Sequence, residues 1–369
     1  MIEGQTRKAV RVIIAGGGTG GHLFPGIAIA RGLRSRCDEI AILFVLGKKK
    51  MESEIICKAG FEARSIDVEG ILGKGLLSLA KALFKTLVSS IQSLAIVRDF
   101  KPHVIVGVGG YSSGPVCLVA WFLGIPTAIH EQNSFPGLTN RVLARFAKKA
   151  FISFEESRKY FKRGDVLLSG NPIRDELVHG KPSTREAHER FVILVMGGSQ
   201  GARAINRAVV SALKELKKAG LFPLVIHQTG KNDFRQIRDD YHANGFDGDV
   251  REFIDDMATA YARADLVISR AGATTIAELA ALGKPSILVP YPYAAHKHQE
   301  ANARVLVARG GADMILERDL DGTSLAGKVR TYMQNRDELK KMSSGALKAG
   351  RPRAKEIIVE GLLELIKSA

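Results

Sequence analysis

Short apolar runs alternate with longer amphipathic stretches along almost the whole chain. Apolar runs bounded by turn-forming residues are typical of strands buried in a parallel sheet, and amphipathic stretches are typical of the helices that cover it. We predict strands at Val10–Ala15, Ala41–Leu46, Val104–Val108, Thr127–His130, Phe151–Ser153 and Val166–Ser169, and then at Phe191–Met196, Leu224–His227, Asp265–Ser269, Ser286–Pro290 and Asp313–Leu316. Helical periodicity lies between them, for example at Arg203–Ala219 and Ala273–Leu282.

Each half of the chain opens with an apolar strand, a glycine cluster and a helix. The first cluster follows Val12–Ala15 and the second follows Ile193–Met196. This recurrence over 369 residues predicts an α/β protein of two Rossmann-like domains with parallel sheets and an interdomain cleft. We place the domains at residues 1–170 and 171–350, with a hinge at Gly170–Pro182 rich in turn formers. The tail after Met342 predicts two more helices, and we expect the last, at about 351–369, to pack back on the first domain.

The charge of the chain predicts an anionic partner. Fifty-four basic and 38 acidic residues leave a net charge of +16, which favours nucleic acid, a phosphorylated substrate or acidic lipid. No ribonucleoprotein, zinc-finger or helix-turn-helix motif stands out, so a nucleic-acid-binding protein is an alternative rather than our prediction. Three cysteines without a C-x-x-C pair fit a reduced, cytoplasmic setting. The chain shows neither a signal peptide nor an uncharged apolar run of about 18 residues.

Three glycine clusters follow predicted strands. Gly16, Gly18 and Gly21 form G-x-G-x-x-G, which allows a tight turn and close approach to a phosphate at a helix N-terminus. A nicotinamide site would want an acidic residue after the second strand, where the chain has Gly47 followed by three lysines. A tight turn without a ligand is the alternative. With Gly107–Pro115 at a third strand end, a shared ligand crevice is favoured, because open α/β sheets bind ligands at that edge.

The second loop also matches the G-x-S-x-G nucleophile elbow of hydrolases. Asp265 and His296 follow Ser199 in the required chain order, but no HGGG-type oxyanion segment is present. We favour diphosphate binding by the Ser199 hydroxyl and the loop amides. Asp247–Asp249 resembles the metal-positioning acidic pair of some transferases, although we interpret it as a turn. His296 and His298 have no third ligand at suitable spacing, so we predict no metal.

Eight ordered motifs together resemble the MurG family of glycosyltransferases. They are GGTGGHLFP (17–25), GVGGYSSGP (107–115), HEQNSFPGLTN (130–140), GNPIR (170–174), GGSQGARAIN (197–206), FIDDM (253–257), SRAGATTIAEL (269–279) and HQEANA (298–303). The resemblance implies the GT-B fold and an inverting transfer of N-acetylglucosamine from UDP-GlcNAc to the undecaprenyl-linked muramyl-pentapeptide, lipid I. The product is lipid II of peptidoglycan synthesis, and no metal or cofactor is needed.

The same resemblance implies a donor site. Its residues would be Thr19, Gly20, Gly21, Asn133, Arg174, Ser199, Ile254, Ala273, Thr274, Thr275, Glu278 and Gln299. Ile254 would meet uracil through its backbone, Glu278 would accept hydrogen bonds from the ribose, and Gln299 would contact hydroxyls of the sugar. Arg174 and Ser199 would lie at or around the diphosphate, and Arg270 and Asn206 near the donor. Lys297 departs from the acidic or polar residue we expect before Gln299.

His22 is implied as the general base that deprotonates the muramyl 4-hydroxyl. An imidazole with an unperturbed pKa of about 6.5 accepts a proton at neutral pH. Glu131 is the alternative base, or orients the acceptor. Tyr111 and Asn140 would help to shape the acceptor pocket.

The segment from Ile71 to Phe84 predicts contact with an anionic membrane surface. Leu76, Leu79 and Leu83 recur at helical spacing beside Lys74, Lys81 and Lys85, and Trp121–Leu123 adds an interfacial anchor. The alternative is a helix that only covers the first sheet. With a lipid-linked acceptor, we expect a peripheral protein at the cytoplasmic face of the cell membrane, in contact with lipid I and with other cell-wall synthesis proteins.

Overall fold

The structure, a computed structural model, describes residues 9–18, 20–68, 76–178, 190–198 and 200–368. Its backbone divides into two compact units, Met1–Ile173 with Pro352–Ala369, and Arg174–Arg351. Each unit has its own parallel sheet, covered by helices. The predicted hinge extends beyond residue 178 and so lies partly outside the described residues.

The first unit contains, within the described residues, a seven-stranded sheet with the order β3-β2-β1-β4-β5-β6-β7. Its strands are β1 (Val10–Ala15), β2 (Ile40–Gly47), β3 (Glu62–Ile66), β4 (Val104–Gly107), β5 (Thr127–Glu131), β6 (Lys149–Ile152) and β7 (Asp165–Leu168). Its helices are α1 (Gly20–Arg34), α2 (Lys50–Lys58), α3 (Leu76–Phe100), α4 (Ser113–Phe122), α5 (Leu138–Leu143) and the last helix of the chain, α14 (Ala354–Lys367). All neighbouring strands pair in parallel.

The last helix completes the first unit. Ile358, Val359 and Leu362 are buried in the same apolar cluster as the residues of β1, β2 and α1. The approach to α1 is close, because a Cβ atom on Gly32 would lie 2.9 Å from Cγ2 of Val359. The other face of the sheet is covered by α3, α4 and α5. Burial on both faces explains why the central strands are nearly continuous apolar runs.

The second unit contains, in its described part, a six-stranded parallel sheet with the order β10-β9-β8-β11-β12-β13. The strands are β8 (Val192–Met196), β9 (Leu224–Gln228), β10 (Gly248–Arg251), β11 (Leu266–Ser269), β12 (Ser286–Leu288) and β13 (Asp313–Met314). The helices are α6 (Asp175–Val178), α7 (Arg203–Lys218), α8 (Phe234–Asn244), α9 (Met257–Arg263), α10 (Ala273–Leu282), α11 (His298–Ala308), α12 (Gly322–Gln334) and α13 (Arg336–Ala349).

The predicted fold class is confirmed, since both units are Rossmann-like α/β domains with parallel sheets. Two edge strands were missed. β3 has no clear apolar alternation, and β10 begins inside Asp247–Asp249, which we interpreted as a turn. That interpretation is wrong for Gly248 and Asp249, which pair with Val225 and Ile226. An edge strand is paired on one side only and needs no continuous apolar run.

The predicted tail differs in its boundaries. α13 begins at Arg336, before Met342, because the Asn335 side chain accepts a hydrogen bond from the backbone N–H of Glu338 and caps the helix. Among the described residues, no helix combines the length and apolarity that crossing a bilayer requires.

Candidate functional site

The first and third glycine clusters interlock at the carboxyl edge of the first sheet. The backbone N–H of Gly17 donates to the carbonyl of Gly109 at 3.3 Å. Gly110 has a φ of 83°, and a Cβ atom there would lie 2.1 Å from the Gly17 carbonyl oxygen. Only glycine fits both the left-handed backbone and this approach. The two clusters after β1 and β4 therefore form one edge, with Gly20 and Gly21 opening α1, whereas Thr19 lies outside the described residues.

His22 lies in the first turn of α1 and packs against the third cluster. Its Nδ1 is 2.9 Å from Oε1 of Gln132. A Cβ atom on Gly109 would lie 2.8 Å from the same nitrogen, so the glycine backbone forms a wall against the ring. The imidazole of the predicted base is therefore held on one edge by an amide and on one face by backbone.

Two buried residues at the end of β5, His130 within the strand and Gln132 directly after it, support His22, and sequence reasoning missed both. Gln132 Nε2 donates to the Val108 carbonyl at 2.9 Å and lies 3.0 Å from Nδ1 of His130. His130 Nε2 lies 3.2 Å from the Gly170 carbonyl oxygen. Burial lowers the pKa of His130 to about 4, so this ring is neutral near pH 7. The available signal was a run of polar residues that begins in the last residues of a buried strand.

Glu131 is buried and organises the loop that follows β5. Its Oε1 accepts from the backbone N–H of Asn133 at 2.9 Å, and its Oε2 accepts from Asn140 Nδ2 at 2.9 Å and from the N–H of Gly137 at 3.2 Å. Burial raises the pKa of Glu131, and these donors counteract the rise. The structure thus brings together Glu131, Asn133 and Asn140. Such a carboxylate is suited to orienting its loop. Tyr111 is about half-exposed.

A further carboxylate, Glu52, holds the first glycine loop. It is buried, and its Oε1 accepts from the backbone N–H of Gly18 at 3.0 Å. Lys49 Nζ donates to the carbonyl of the same glycine at 3.1 Å. One loop amide that we expected to contact an anion or a sugar is therefore engaged inside the protein. Nothing in the sequence singled out Glu52, because it lies on α2 rather than in a motif.

In the second unit, the glycine loop packs on the end of β9. Gly201 has a φ of 77°, and a Cβ atom there would lie 2.0 Å from the Thr229 carbonyl oxygen. The buried side chain of Gln228 links two segments, since its Nε2 donates to the Gly198 carbonyl and its Oε1 accepts from the backbone N–H of Ile254, both at 3.0 Å. Ser199 lies outside the described residues. Gln228 was missed because it is part of a strand and not of a glycine motif.

For the predicted contact with a nucleobase, Ile254 therefore has one backbone group left rather than two. Its N–H is bound to Gln228, and its carbonyl remains as an acceptor. The preceding Phe253 is 51% exposed, and an exposed ring beside such a carbonyl provides a surface on which a base can stack.

Arg174 and Glu278, which we placed at the diphosphate and the ribose, contact each other. The Arg174 guanidinium donates to Glu278 Oε1 from Nε at 3.2 Å and from Nη2 at 3.0 Å, and the hydroxyl of Tyr261 donates to Oε2 at 3.0 Å. Burial raises the pKa of Glu278, while Arg174 and Tyr261 counteract the rise. The charge of Arg174 is thus directed at a buried carboxylate. Ala273, Thr274 and Thr275 begin the same helix as Glu278, α10.

Gln299 and Arg270 meet at the turn after β12. Gln299 Oε1 accepts from the backbone N–H of Tyr291 at 3.0 Å, which leaves its NH₂ group as the donor for a ligand hydroxyl. Arg270 Nη1 donates to the carbonyls of Val289 and Pro290 at 3.2 and 3.3 Å. Arg270 therefore shapes the turn to which the Gln299 side chain is hydrogen-bonded.

Asn206 is fully buried beneath the second glycine loop. Its Nδ2 donates to the Thr229 carbonyl and to Asp233 Oδ2, both at 2.9 Å. Since Thr229 supports Gly201, Asn206 acts on the loop from below rather than on a ligand directly.

Comparison with known proteins assigns the chain. Models of the glycosyltransferase family 28 N-terminal and C-terminal domains match residues 12–152 and 192–358. A Myxococcus xanthus (strain DK1622) protein is 48% identical over 97% of this chain and 93% of its own length, and one from Syntrophus aciditrophicus (strain SB) is 47% identical over 97% and 99%. The chain belongs to the MurG family of glycosyltransferases.

Both relatives are named UDP-N-acetylglucosamine--N-acetylmuramyl-(pentapeptide) pyrophosphoryl-undecaprenol N-acetylglucosamine transferase. The crystal structure of MurG from Acinetobacter baumannii superposes with a TM-score of 0.79 at 30% identity, covering 96% of this chain and 99% of that one. The resemblance to the family and its GT-B fold are confirmed, and the protein is a glycosyltransferase.

The geometry of this MurG-family chain does not support the hydrolase alternative. Asp265 lies at the amino end of β11, where its Oδ2 accepts from the backbone N–H of Val192 and its Oδ1 pairs with Arg336. The glycine loop that holds position 199 follows the opposite, carboxyl end of β8. Among the described residues, no group of three or more His, Cys, Asp or Glu side chains has the arrangement of a metal site.

Proposed function

We propose that this enzyme transfers N-acetylglucosamine from UDP-GlcNAc to the muramyl 4-hydroxyl of lipid I, forming lipid II for peptidoglycan. The observation that carries the proposal is identity of 47–48% over 97% of the chain to transferases named for this reaction. The acceptor oxygen bonds to the anomeric carbon, and the bond from that carbon to UDP breaks with its electron pair going to the diphosphate. The configuration inverts, and the hydroxyl proton goes to a base of the protein.

His22 is that base. It is partly exposed at the carboxyl edge of the sheet and held by Gln132, which suits a group that must receive a proton from a bound ligand. Glu131 has both oxygens engaged by its own loop, which favours its alternative role as an orienter. Asn133 belongs to that loop and Asn140 to the helix that follows it, α5. Thr19, Gly20 and Gly21 directly precede His22 in the sequence, and Tyr111 belongs to the third glycine cluster.

UDP binds the second unit. The carbonyl of Ile254 accepts from the uracil, Phe253 stacks on the base, and the loop of residues 197–201, with Ser199, holds the diphosphate at the N-terminus of α7. Unpaired N–H groups at a helix start stabilise the negative charge of a leaving diphosphate. Gln299 donates to the sugar from its free NH₂ group.

Glu278 accepts from the ribose with lone pairs that remain after Arg174 and Tyr261 have bound it. Thr274 and Thr275 are partly exposed one turn before it, at the start of the same helix. Burial raises the pKa of Glu278 and Arg174 opposes that rise, so Arg174 acts on the nucleotide through this side chain.

The protein acts as a peripheral protein at the cytoplasmic face of the cell membrane. Exposed Trp121 and Phe122 end α4, and the Trp121 ring packs tilted against Phe146, with the ring centroids 4.7 Å apart. Near them, a groove of about 620 Å³ is lined by five exposed cations, which we call the basic face: Arg141, Arg145, Lys159, Lys162 and Arg163. Aromatic rings beside cations suit an anionic lipid surface.

The predicted membrane segment, Ile71 to Phe84, gives this proposal less support. Residues 71–75 and the side chains of 76–84 lie outside the described residues. Lys85 forms an ion pair with Asp67 at 3.5 Å, so its charge is partly neutralised within the protein. The membrane proposal therefore rests mainly on Trp121, Phe122 and the basic face.

A transfer assay tests the reaction. With labelled UDP-GlcNAc and a lipid I analogue, label should enter the lipid fraction. His22→Ala should lower kcat on the order of 10²-fold or more, the contribution of a general base, and leave the affinity for UDP unchanged. His242→Ala, which removes an exposed histidine from α8, is the control and should retain full activity.

Label that reached another acceptor but never lipid I would reassign the substrate within the family. Donor binding without transfer to any lipid acceptor would refute the proposed reaction.

A further inference from the structure

A chain of hydrogen bonds lies at the carboxyl edge of the first sheet, and two backbone carbonyls in it determine which atoms carry protons. It runs from the Gly170 carbonyl through His130 and Gln132 to His22, with distances of 3.2, 3.0 and 2.9 Å. The Val108 carbonyl joins it at Gln132. The amide of Gln132 has two possible orientations, and the rings of His130 and His22 have two possible tautomers each. The backbone carbonyls select one state of each side chain.

The Val108 carbonyl can only accept, so the group of Gln132 that lies 2.9 Å from it must be the NH₂. The Gly170 carbonyl can also only accept, so His130 carries its proton on Nε2 and leaves a lone pair on Nδ1. That lone pair accepts the second hydrogen of the Gln132 NH₂ group. The Val108 carbonyl and the Gly170 carbonyl, the latter acting through His130, therefore require the same orientation of the Gln132 amide.

Once the NH₂ group is assigned, the amide oxygen of Gln132 faces His22. An oxygen acceptor at 2.9 Å requires a donor, so Nδ1 of His22 carries the proton. A neutral imidazole has one N–H and one lone pair, and the lone pair of His22 is then on Nε2.

We propose that Gln132 is a positioning residue for the transfer reaction: its amide holds His22 in the Nδ1–H tautomer, so that Nε2 receives the proton of the acceptor hydroxyl. This inference rests on the proposed function for the role of His22, but not for its tautomer. The low pKa of His130, caused by burial, supports it, because a protonated His130 would have no lone pair for Gln132. The full burial of Gln132 and His130 keeps water from competing for these bonds.

Nitrogen NMR measures the tautomer directly. The protein labelled with ¹⁵N-histidine is recorded at pH about 8, where an imidazole of ordinary pKa is neutral. The signals of His22 are assigned by their loss in His22→Gln. We expect a protonated-nitrogen shift at Nδ1 and a lone-pair shift at Nε2. The reverse pattern in the wild-type protein would overturn the proposal, whatever any variant does.

Gln132→Met keeps the length of the side chain and removes the amide. We expect the His22 signals to lose the single-tautomer pattern. The value of kcat should fall on the order of 10–100-fold, a part of what a general base contributes, with the KM for UDP-GlcNAc changed less than about twofold. In a His22→Gln background, Gln132→Met should lower kcat little further, because the Gln132 amide acts on the reaction only through the His22 ring.

Gln228→Met is the matched control, since Gln228 is also a buried amide that binds a glycine-loop carbonyl at a strand end. It should weaken UDP binding and leave the His22 tautomer intact. An unchanged tautomer in Gln132→Met, with or without a fall in kcat, would overturn the proposal. A wild-type protein with the Nδ1–H pattern but no transfer would instead refute the proposed function and leave the tautomer assignment standing.

Discussion

Two buried histidines, one in each unit, are held neutral by their surroundings. His130 donates to the Gly170 carbonyl, and His227 accepts from the Tyr241 hydroxyl at 3.0 Å while its Nε2 lies 3.1 Å from Asn206 Oδ1. Burial lowers the pKa of His130 to about 4 and that of His227 to about 3. Each ring is a structural bridge that works only without a second proton.

Acid should therefore destabilise the first unit through His130. Below pH about 6.5 the unfolded chain protonates this residue and the folded state does not, so the free energy of unfolding falls until the pH reaches about 4. The loss should approach about 3 kcal/mol, since one pKa unit corresponds to about 1.4 kcal/mol. Urea unfolding followed by fluorescence of Trp121, the single tryptophan and part of the first unit, measures it.

The control for this prediction is His130→Asn, which should be less stable at pH 7 but should lose less stability between pH 6.5 and 4. An equally steep pH dependence in that variant would mean that other groups cause the acid sensitivity.

At the scale of elements, the glycine clusters join loops that follow different strands. Gly110 touches the Gly17 carbonyl in the first unit, and Gly201 touches the Thr229 carbonyl in the second. In both cases a strand-end loop packs backbone to backbone on its neighbour. The contact fixes the edge of the sheet where the candidate residues lie, so these glycines shape the site through the backbone of their loops.

Gly110→Ala and Gly124→Ala separate two costs of replacing a glycine: the strain of a left-handed backbone and the clash of the new Cβ atom. Both positions have a positive φ, of 83° and 73°, but a Cβ atom on Gly124 would meet nothing within 4 Å. Gly124→Ala should lower the free energy of unfolding by about 1–2 kcal/mol, the cost of a left-handed backbone. Gly110→Ala should cost about 3 kcal/mol or more, because the Gly17 carbonyl cannot move freely. Urea unfolding of the two variants compares them, and equal losses would contradict the interlocking of the clusters.

At the scale of the whole molecule, the net charge of +16 is shared by both units, but the basic face belongs to the first. The proposed membrane contact therefore depends on the position of the charge and not only on its sum. A basic residue near an anionic surface contributes about 1 kcal/mol to binding.

Charge reversal tests that dependence with anionic and neutral liposomes. Arg145→Glu with Arg163→Glu should weaken sedimentation with anionic vesicles by roughly tenfold or more, since two cations become anions. Lys340→Glu with Lys341→Glu makes the same change of net charge, from +16 to +12, on α13 of the second unit and should bind nearly as the wild type. Salt should weaken wild-type binding through screening. Equal losses in both double variants would contradict the basic face.

The sequence by itself determined the central strands, the glycine turns at their ends and the family. These features are local: a strand buried on both faces must be apolar throughout, and a left-handed turn against a neighbouring backbone must be glycine. The resemblance of the motifs to the family, rather than these local patterns, identified His22, Glu131, Ile254, Glu278 and Gln299 as candidate site residues.

Tertiary structure alone decided what those residues touch. β3 and β10 are strands because a neighbouring strand pairs with them, although their own sequences lack an apolar pattern. Arg174 meets Glu278 across 104 positions of sequence, and His22 meets Gln132 across 110. The proton on His22 follows from that last contact, because a carbonyl brought in by a different strand orients the amide. Such pairings depend on where the fold brings distant segments together, which periodicity and motifs do not encode.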